Sequence, residues 1–256
     1  AEGQPLLWEV RGAGKTYSGS QVPALEGVDL RLAEGGTLGV VGGSGCGKTT
    51  LARAILGLHR LDTGTIQLAG KSVHENTAEH IRHIRSNVGL VFQDPRAALN
   101  PTRRVGDAIR EVLVRWGSEK AQAQQEAERL VQAVGLDVDA LERKPDAFSG
   151  GQRQRIVIAR ALAANPKLLI CDEAVAALDV SVQAQVLNLL VELRAKRHLA
   201  LLFISHDLGV VRYLCDSTMV MDQGRVVERG ISDQLWAAPS HDVTRRLKSA
   251  GGGAIA

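Results

Sequence analysis

The glycine-rich segment Gly42-Gly43-Ser44-Gly45-Cys46-Gly47-Lys48-Thr49, called the phosphate loop below, contains residues that could bind phosphate. It follows the pattern of a glycine, four variable residues and then Gly-Lys-Thr. Glycines let the backbone curl until several N–H groups face one anion, and a helix that begins there adds the positive end of its dipole. Lys48 would reach the β- and γ-phosphates of a nucleotide, and the Thr49 hydroxyl would bind Mg²⁺. The pattern therefore favours a nucleotide site over a merely flexible loop.

Two adjacent acids, Asp172 and Glu173, follow the apolar run Leu168–Cys171. If this run is a buried strand, Asp172 lies at the carboxyl edge of the sheet, where ligands bind in open α/β proteins. Asp172 could hold Mg²⁺ through water. Glu173 points in another direction and could act as a general base toward the attacking water. The alternative is a surface acidic pair that caps a strand, and the phosphate loop makes it the weaker one.

The segment Ser149-Gly150-Gly151-Gln152 opens a predicted helix. A capping serine and two glycines leave exposed N–H groups at a helix N-terminus, which is a second place for an anion. The segment could also be an ordinary loop and helix cap. Because one nucleotide can hardly occupy two separate helix N-termini in a compact domain, we expect this segment to act on a nucleotide bound by a second chain.

The phosphate loop needs a strand before it and a helix after it, and the sequence predicts both. The apolar stretch Thr37–Val41 is the strand, and Thr49–Leu58 has helical character. Apolar and polar residues alternate in Leu7–Val10 and Val28–Leu32, which predicts antiparallel strands near the N-terminus. Further strands are predicted at Gly64–Leu68 and Val88–Phe92.

A helical insertion is predicted next, because apolar residues recur at helical spacing. They are Val105, Ala108, Ile109, Val112, Leu113 and Trp116, followed by Ala123, Ala127, Leu130, Val131 and Val134. Helices then alternate with strands, which predicts a parallel sheet covered on both faces. The predicted helices are Gly151–Ala164 and Val182–Arg194, and the strands are Leu168–Cys171 and Leu201–Ser205. A hairpin is predicted within Met219–Val227, around Gln223-Gly224.

The composition limits the classes of function. The chain has 256 residues, of which 45% are hydrophobic and 23% charged, so it can bury a sizeable core. A net charge of +3 and 3% aromatic residues give no support to nucleic-acid binding. Three cysteines favour a reducing compartment over a disulfide framework. No secretory leader is expected at the N-terminus, and the run Leu199–Ile204 is too short to cross a bilayer, which needs about 20 residues.

Taken in order along the chain, these motifs resemble those of the ATP-binding cassette ATPases over roughly residues 7–248. The resemblance implies an α/β fold, namely a P-loop NTPase core with a mainly parallel sheet, an N-terminal antiparallel β subdomain and a helical insertion. It implies one ATPase domain, residues 1–250. Within it the catalytic core would be 1–94 and 149–230, the helical subdomain 95–148 and the C-terminal helix 231–250. Residues 251–256 are expected to be a flexible tail.

The resemblance also implies roles for single residues. Tyr17 is similar to the aromatic residue that stacks on adenine, Gln93 to the glutamine of the Q-loop, and His206 to the switch histidine that contacts the γ-phosphate. Each of the three could instead be an ordinary residue on or beside a strand. Ser149 to Gln152 resemble the signature motif, and Asp179 resembles the aspartate of the D-loop.

The ligands implied are ATP and Mg²⁺. The residues expected to contact ATP are Tyr17, Gly42, Gly43, Ser44, Gly45, Cys46, Gly47, Lys48, Thr49, Thr50, Ser149, Gly150, Gly151, Gln152 and Asp179. Those expected to hold Mg²⁺ are Thr49, Gln93 and Asp172. The catalytic residues would be Lys48, Gln93, Glu173 and His206.

Two segments, residues 91–101 and 178–186, resemble the peptide and nickel importer branch of the family. This resemblance implies an ATPase at the cytoplasmic face of the inner or cell membrane. Its partners would be a second ATPase chain (homologous or identical), two integral membrane permease subunits and a periplasmic or extracellular solute-binding protein, with no nucleic acid. Three departures favour a nickel or metal chelate as the solute. They are Ala174 in place of proline, Gly43 in place of glutamate and the lack of a C-terminal cysteine cluster. A di- or oligopeptide is the other candidate.

Three other functions are compatible with parts of the sequence. DNA-repair ATPases of this type have a long coiled coil before the signature, whereas about a hundred residues without sustained heptads intervene here. Translation-associated members usually hold two cassettes in one chain. A regulatory module that binds ATP without turnover would not need both Glu173 and His206.

Overall fold

A computed structural model describes residues 5–73 and 78–251 of the chain. The described residues pack as two compact units. Unit 1 contains those up to Ile84 and those from Ala200 onward, and unit 2 is Arg85–Leu199. The predicted tail, apart from Gly251, lies outside the described residues.

The strands are spread over both units. They are β1 (Leu6–Lys15), β2 (Leu25–Ala33), β3 (Thr37–Gly42), β4 (Thr63–Leu68), β5 (Lys71–Ser72), β6 (Val88–Val91), β7 (Leu168–Asp172), β8 (Ala200–Ser205), β9 (Ser217–Asp222) and β10 (Arg225–Ile231).

The helices fall mainly between β6 and β9. They are α1 (Lys48–Ile55), α2 (Ala78–Asn87), α3 (Pro95–Ala98), α4 (Val105–Arg115), α5 (Lys120–Ala133), α6 (Gly150–Leu162), α7 (Val180–Arg197), α8 (Leu208–Leu214), α9 (Ser232–Ala237) and α10 (Asp242–Gly251), with short 3₁₀ helices at Val138–Glu142 and Pro145–Ala147. No helix in the described ranges combines the length and the apolar character that crossing a bilayer requires.

Unit 1 contains the predicted antiparallel strands near the N-terminus. They form a sheet in the order β2-β1-β4-β5. β1 pairs with β2 on one side and with β4 on the other, where Trp8 lies opposite Leu68. One face of the sheet is buried, and Trp8, Val10 and Ile66 on these strands are at most 1% exposed. The alternation of apolar and polar residues that predicted these strands therefore reflects a half-buried sheet.

The strand before the phosphate loop lies in the middle of the second sheet of unit 1. β3 is parallel to both β8 and β9, and β10 continues the sheet as an antiparallel edge beyond β9. Every residue of β3 and β8 is buried. A Cβ at Gly39 of β3 would lie 2.0 Å from Cγ1 of Val211, so this glycine allows α8 to pack directly on the strand. A strand buried on both faces explains why its sequence is a continuous apolar run.

Unit 2 holds a parallel pair of strands and the helical insertion. β6 and β7 are in register from Val88 opposite Leu168 to Val91 opposite Cys171. The insertion is formed by α4 and α5, whose apolar faces bury Ile109, Leu113 and Leu130. α6 packs on β6, and the buried residues Ile156, Val157 and Ile158 lie along this helix. The helical spacing of the apolar residues in α4 and α5 correctly predicted the insertion.

The predicted fold class is confirmed, although two predicted helices extend too far: the helix expected to end at Ala164 ends at Leu162, and the first helix differs more. The helix expected at Thr49–Leu58 ends at Ile55, because Gly57 adopts the left-handed conformation (φ 68°) and turns the chain. The predicted boundaries of the catalytic core and the helical subdomain stay predictions.

In unit 1, the loop before α10 is held by a single carboxylate on β10. Glu228 accepts hydrogen bonds from the N–H and Oγ of Ser240 (both 2.8 Å), from the N–H of His241 (3.1 Å) and from Oγ1 of Thr244. Burial raises the pKa of Glu228, but these donors outweigh burial and hold the pKa at about 2. Glu228 therefore anchors α10 as an ionised carboxylate.

Replacing this carboxylate should destabilise the protein in a pH-dependent way. Glu228→Gln puts an amide N–H₂ among donors, and we expect a loss of about 1–3 kcal/mol in the free energy of unfolding at pH 7. Since the folded pKa lies below the unfolded value, the stabilisation is complete above about pH 4.5 and is lost as the pH falls toward about 2. Urea unfolding measured from pH 7 to pH 3 should show that the difference in the free energy of unfolding between variant and wild type becomes smaller as the pH falls.

The matched control is Glu79→Gln, at an exposed position of α2. It should change the free energy of unfolding by no more than about 1 kcal/mol, the range for an exposed acidic side chain in the first turn of a helix. A Glu228→Gln variant as stable as wild type at pH 7, or a deficit that does not change with pH, would contradict the assignment of Glu228 as the anchor of α10.

Candidate active site

Two glycines in left-handed conformations shape the phosphate loop between β3 and α1. Gly45 has φ 75° and Gly47 has φ 107°, and Gly47 is the N-cap residue of α1. A Cβ at Gly47 would lie 2.3 Å from the carbonyl oxygen of Ala24. A side chain at Gly47 is therefore excluded by both the backbone angle and the space.

The start of the loop is packed tightly against β9. A Cβ at Gly42 would lie 2.3 Å from the carbonyl oxygen of Met221 and 2.5 Å from Sγ of Cys46. The N–H of Gly224, in the β9–β10 turn, donates to the carbonyl of Cys46 (3.0 Å). The loop is thus held by the sheet and by a neighbouring hairpin, as a preformed anion site requires.

The side chain of Lys48 folds back into the loop. Its Nζ donates to the carbonyl oxygens of Gly42 and Gly43, each at 2.9 Å, and lies 3.8 Å from Sγ of Cys46. Lys48 is 6% exposed. Its amino group therefore lies against the backbone of the loop at a buried position, where electrostatic attraction to an anion is stronger than in open water.

Tyr17 lies beside the first turn of α1. Its hydroxyl donates to Oγ1 of Thr50 at 3.3 Å. Its ring meets that of His59 edge to face, with centroids 5.6 Å apart and planes at 85°. Tyr17 keeps 37% of its surface exposed. The structure therefore brings the predicted adenine-stacking residue to the same helix N-terminus as the phosphate loop.

His206 follows β8 at the same sheet edge. Because β3 and β8 are adjacent and parallel, with Val41 opposite Ser205, the residue after Ser205 lies beside the start of the phosphate loop. The next residue, Asp207, caps α8 by accepting from the N–H of Gly209 (2.8 Å). The cap fixes the backbone that leaves His206, and His206 itself is exposed.

In unit 2, three predicted residues follow two neighbouring parallel strands. Val91 of β6 lies opposite Cys171 of β7. Gln93 therefore follows β6 at the edge where Asp172 ends β7 and Glu173 leaves it. Burial, and after it the charge of Asp172, raise the pKa of the Cys171 thiol. Cys171 is therefore a neutral core residue, and Asp172 is the first residue of the strand that could take part in polar chemistry.

The backbone of Glu173 is in a conformation that non-glycine residues rarely adopt. Its φ is 50°, which costs about 1–3 kcal/mol where the surroundings enforce it. Its carbonyl accepts from the N–H of Ala176 (3.1 Å), so a turn toward α7 begins at this residue. The chain therefore leaves the direction of β7 at Glu173.

The signature segment forms a complete helix N-terminus. Ser149 accepts from the N–H of Gln152 (3.3 Å), and the Gln152 side chain accepts from the N–H of Ser149 (3.0 Å), which is a capping box. The first N–H groups of a helix, those of Gly150 and Gly151, have no partner within it. A Cβ at Gly151 would lie 2.2 Å from Cγ1 of Val182, so α6 and α7 begin in close contact.

The carboxylate of Asp179 forms hydrogen bonds with residues two and three positions along the chain. Its Oδ1 accepts from the N–H of Val182 (3.0 Å) and from Oγ of Ser181 (2.8 Å), and it is the N-cap residue of α7. The hydrogen bond from Val182, and then that from Ser181, lower the pKa of Asp179. The prediction that Asp179 contacts ATP is not tested by these contacts.

The donor set predicted for Mg²⁺ suits that ion. Thr49, Gln93 and Asp172 offer hydroxyl, amide and carboxylate oxygens, and Mg²⁺ prefers oxygen ligands while keeping several waters and substrate phosphates. Within the described ranges, no three His, Cys, Asp or Glu residues cluster as a metal site.

The predicted site residues are thus divided between the two units. Tyr17, the phosphate loop, Thr50 and His206 belong to unit 1, and Gln93, Ser149–Gln152, Asp172, Glu173 and Asp179 belong to unit 2. Sequence reasoning missed His59, which contacts Tyr17. No motif surrounds His59, so only its proximity in space reveals it.

Comparisons with known proteins agree with this chemistry. A family model described as ABC transporter matches residues 25–176. The chain is 47% identical over 229 residues to the oligopeptide transport ATP-binding protein OppF of Salmonella typhimurium, covering 89% of this chain and 69% of the relative. It is 44% identical over 241 residues to the di/tripeptide transport ATP-binding protein DppF of Pseudomonas aeruginosa, covering 94% and 74%.

A solved structure is similar as well. It is a dimeric post-hydrolysis state of the ATP-binding cassette MJ0796 bound to ADP and Pi, with a TM-score of 0.78, 26% identity, and coverage of 88% of this chain and 98% of that chain. The family model spans the phosphate loop, the signature segment and the acidic pair. This chain therefore belongs to the ABC transporter family, and it binds and hydrolyses ATP.

Proposed function

We propose that this chain is the ATP-hydrolysing subunit of a membrane importer for short peptides. The observation that supports the proposal is similarity, along 89% and 94% of the chain, to two proteins named for oligopeptide and di/tripeptide transport. Those names favour a peptide over a nickel chelate as the solute. The preference for nickel suggested by Ala174 and Gly43 is therefore not supported. They also favour transport over DNA repair or translation.

In the proposed cycle, the phosphate loop binds the triphosphate of ATP and Tyr17 stacks on the adenine. Lys48 exchanges its bonds to loop carbonyls for charge-assisted bonds to phosphate oxygens, which are stronger. His206 donates to the γ-phosphate, and Glu173 accepts a proton from the attacking water as it orients it. Thr49, Gln93 and Asp172 would hold Mg²⁺, whose positive charge would offset that of the β- and γ-phosphates.

The signature segment would act on the ATP of a second ATPase chain. Its capping box leaves the N–H groups of Gly150 and Gly151 for an anion, and the chain's own phosphate loop already provides a complete cradle. ATP would thus join two ATPase chains, and hydrolysis would let them separate. The other partners proposed are two permease subunits, with the ATPase at the cytoplasmic face of the membrane, and an external solute-binding protein.

Glu173→Gln should abolish turnover and leave ATP binding close to that of wild type. Loss of a general base lowers the rate by about 10²- to 10⁴-fold, while the phosphate loop is unchanged. Steady-state phosphate release and equilibrium ATP binding measure the two quantities separately. The control is Glu192→Gln, the same substitution at an exposed position of α7, which should hydrolyse ATP normally. Phosphate release by Glu173→Gln near the wild-type rate would refute the role of Glu173.

Deletion of the gene tests the substrate class. Uptake of a labelled tripeptide should be lost in the deletion strain, restored by the wild-type chain and not restored by Lys48→Ala. Uptake of ⁶³Ni²⁺ should be unchanged in all strains. Normal tripeptide uptake together with lost nickel uptake would replace the peptide by a nickel chelate, and normal uptake of both would remove this class of importer.

A further inference from the structure

His59 contacts the predicted site residue Tyr17, yet neither the motifs nor the family resemblance gives His59 a role. It lies just after α1, where Gly57 (φ 68°) turns the chain. Its N–H donates to the carbonyl of Arg53 at 3.3 Å, which ties it to the last turn of the helix. It is half-buried, and its ring meets that of Tyr17 edge to face.

We propose that His59 is a positioning residue that sets the plane of the Tyr17 ring on which the base of the nucleotide stacks. This inference rests on the proposed role of Tyr17 in binding adenine. His59 touches neither ATP nor the reacting atoms in this proposal. It acts through Tyr17, so its contribution should depend on that ring.

Two contacts hold the Tyr17 ring, and they fix different rotations. The hydrogen bond from its hydroxyl to Oγ1 of Thr50 (3.3 Å) fixes the direction of the ring's long axis. That bond alone leaves the ring free to rotate about the axis. The edge-to-face contact with His59, with planes at 85°, opposes this second rotation.

The edge-to-face arrangement also keeps Tyr17 available. Whether the edge belongs to His59 or to Tyr17, at least one face of the Tyr17 ring is free of His59. With 37% of its surface exposed, Tyr17 can offer that face to a base. Stacking needs a flat, immobile partner, because each rotation that must be frozen on binding weakens the complex.

Both supports of Tyr17 are attached to one short helix, α1. Thr50 is in the first turn of α1, and His59 is tied to its last turn through Arg53. The N-terminus of that helix is the end of the phosphate loop. The position of the Tyr17 ring is therefore fixed relative to the phosphate loop, so that a base and its phosphates can bind to one rigid element.

A double-mutant cycle of Tyr17→Ala and His59→Ala tests the proposal. Calorimetry would measure the affinity for ATP and, as a ligand without a base, for inorganic triphosphate. We expect His59→Ala to weaken ATP binding by about 2- to 10-fold, the range for an aromatic contact, and to leave triphosphate binding unchanged. In the Tyr17→Ala background it should have no effect. The KM for ATP should rise with kcat unchanged, and His59→Phe should restore both.

The control is Leu58→Ala, which alters an exposed neighbour (61% exposed) and should change neither affinity. An equal loss of ATP affinity from His59→Ala with and without Tyr17 would overturn the proposal, because His59 would then act independently. An equal loss of triphosphate affinity would overturn it as general damage to the helix. If Tyr17→Ala itself binds ATP normally, both the proposed role of Tyr17 in binding adenine and this inference fail. If Tyr17→Ala weakens ATP binding and His59→Ala does not, the inference about His59 alone fails.

Discussion

The position of the Lys48 amino group inside the phosphate loop is the interaction on which the site in unit 1 depends. Two hydrogen bonds of 2.9 Å hold it against the carbonyls of Gly42 and Gly43. These bonds are possible because the loop curls through glycine conformations and packs against β9, where no side chain fits at Gly42. The loop is thus formed before an anion arrives, and less conformational entropy has to be lost on binding.

Both units place their polar residues by the same rule. Parallel strands that are buried along their length end at one edge, and the residues that follow them are brought together there. In unit 1 these are the phosphate loop after β3 and His206 after β8. In unit 2 they are Gln93 after β6 and the two acids at the end of β7. The unusual φ of 50° at Glu173 occurs where the chain leaves such a strand, and the strain falls on a residue with a proposed chemical role.

The sequence predicted the features that local pattern determines. Glycine spacing revealed the phosphate loop, apolar runs revealed β3, β7 and β8, and helical spacing revealed α4 and α5. Contacts between residues distant in sequence could not be predicted in this way. Glu228 binds residues 240–244 because α9 and the loop after it lead the chain back to β10, and His59 meets Tyr17 across 42 positions of chain. The end of α1 was missed because Gly57 could also have been tolerated within a helix.

The central claim is that the phosphate loop binds the nucleotide through Lys48. Calorimetric titration of wild type and Lys48→Ala with MgATP, with circular dichroism to establish that both are folded, tests it most directly. Losing charge-assisted hydrogen bonds worth about 1.5–3 kcal/mol should weaken binding by about 10- to 150-fold. A folded Lys48→Ala variant that binds MgATP as tightly as wild type would contradict the account.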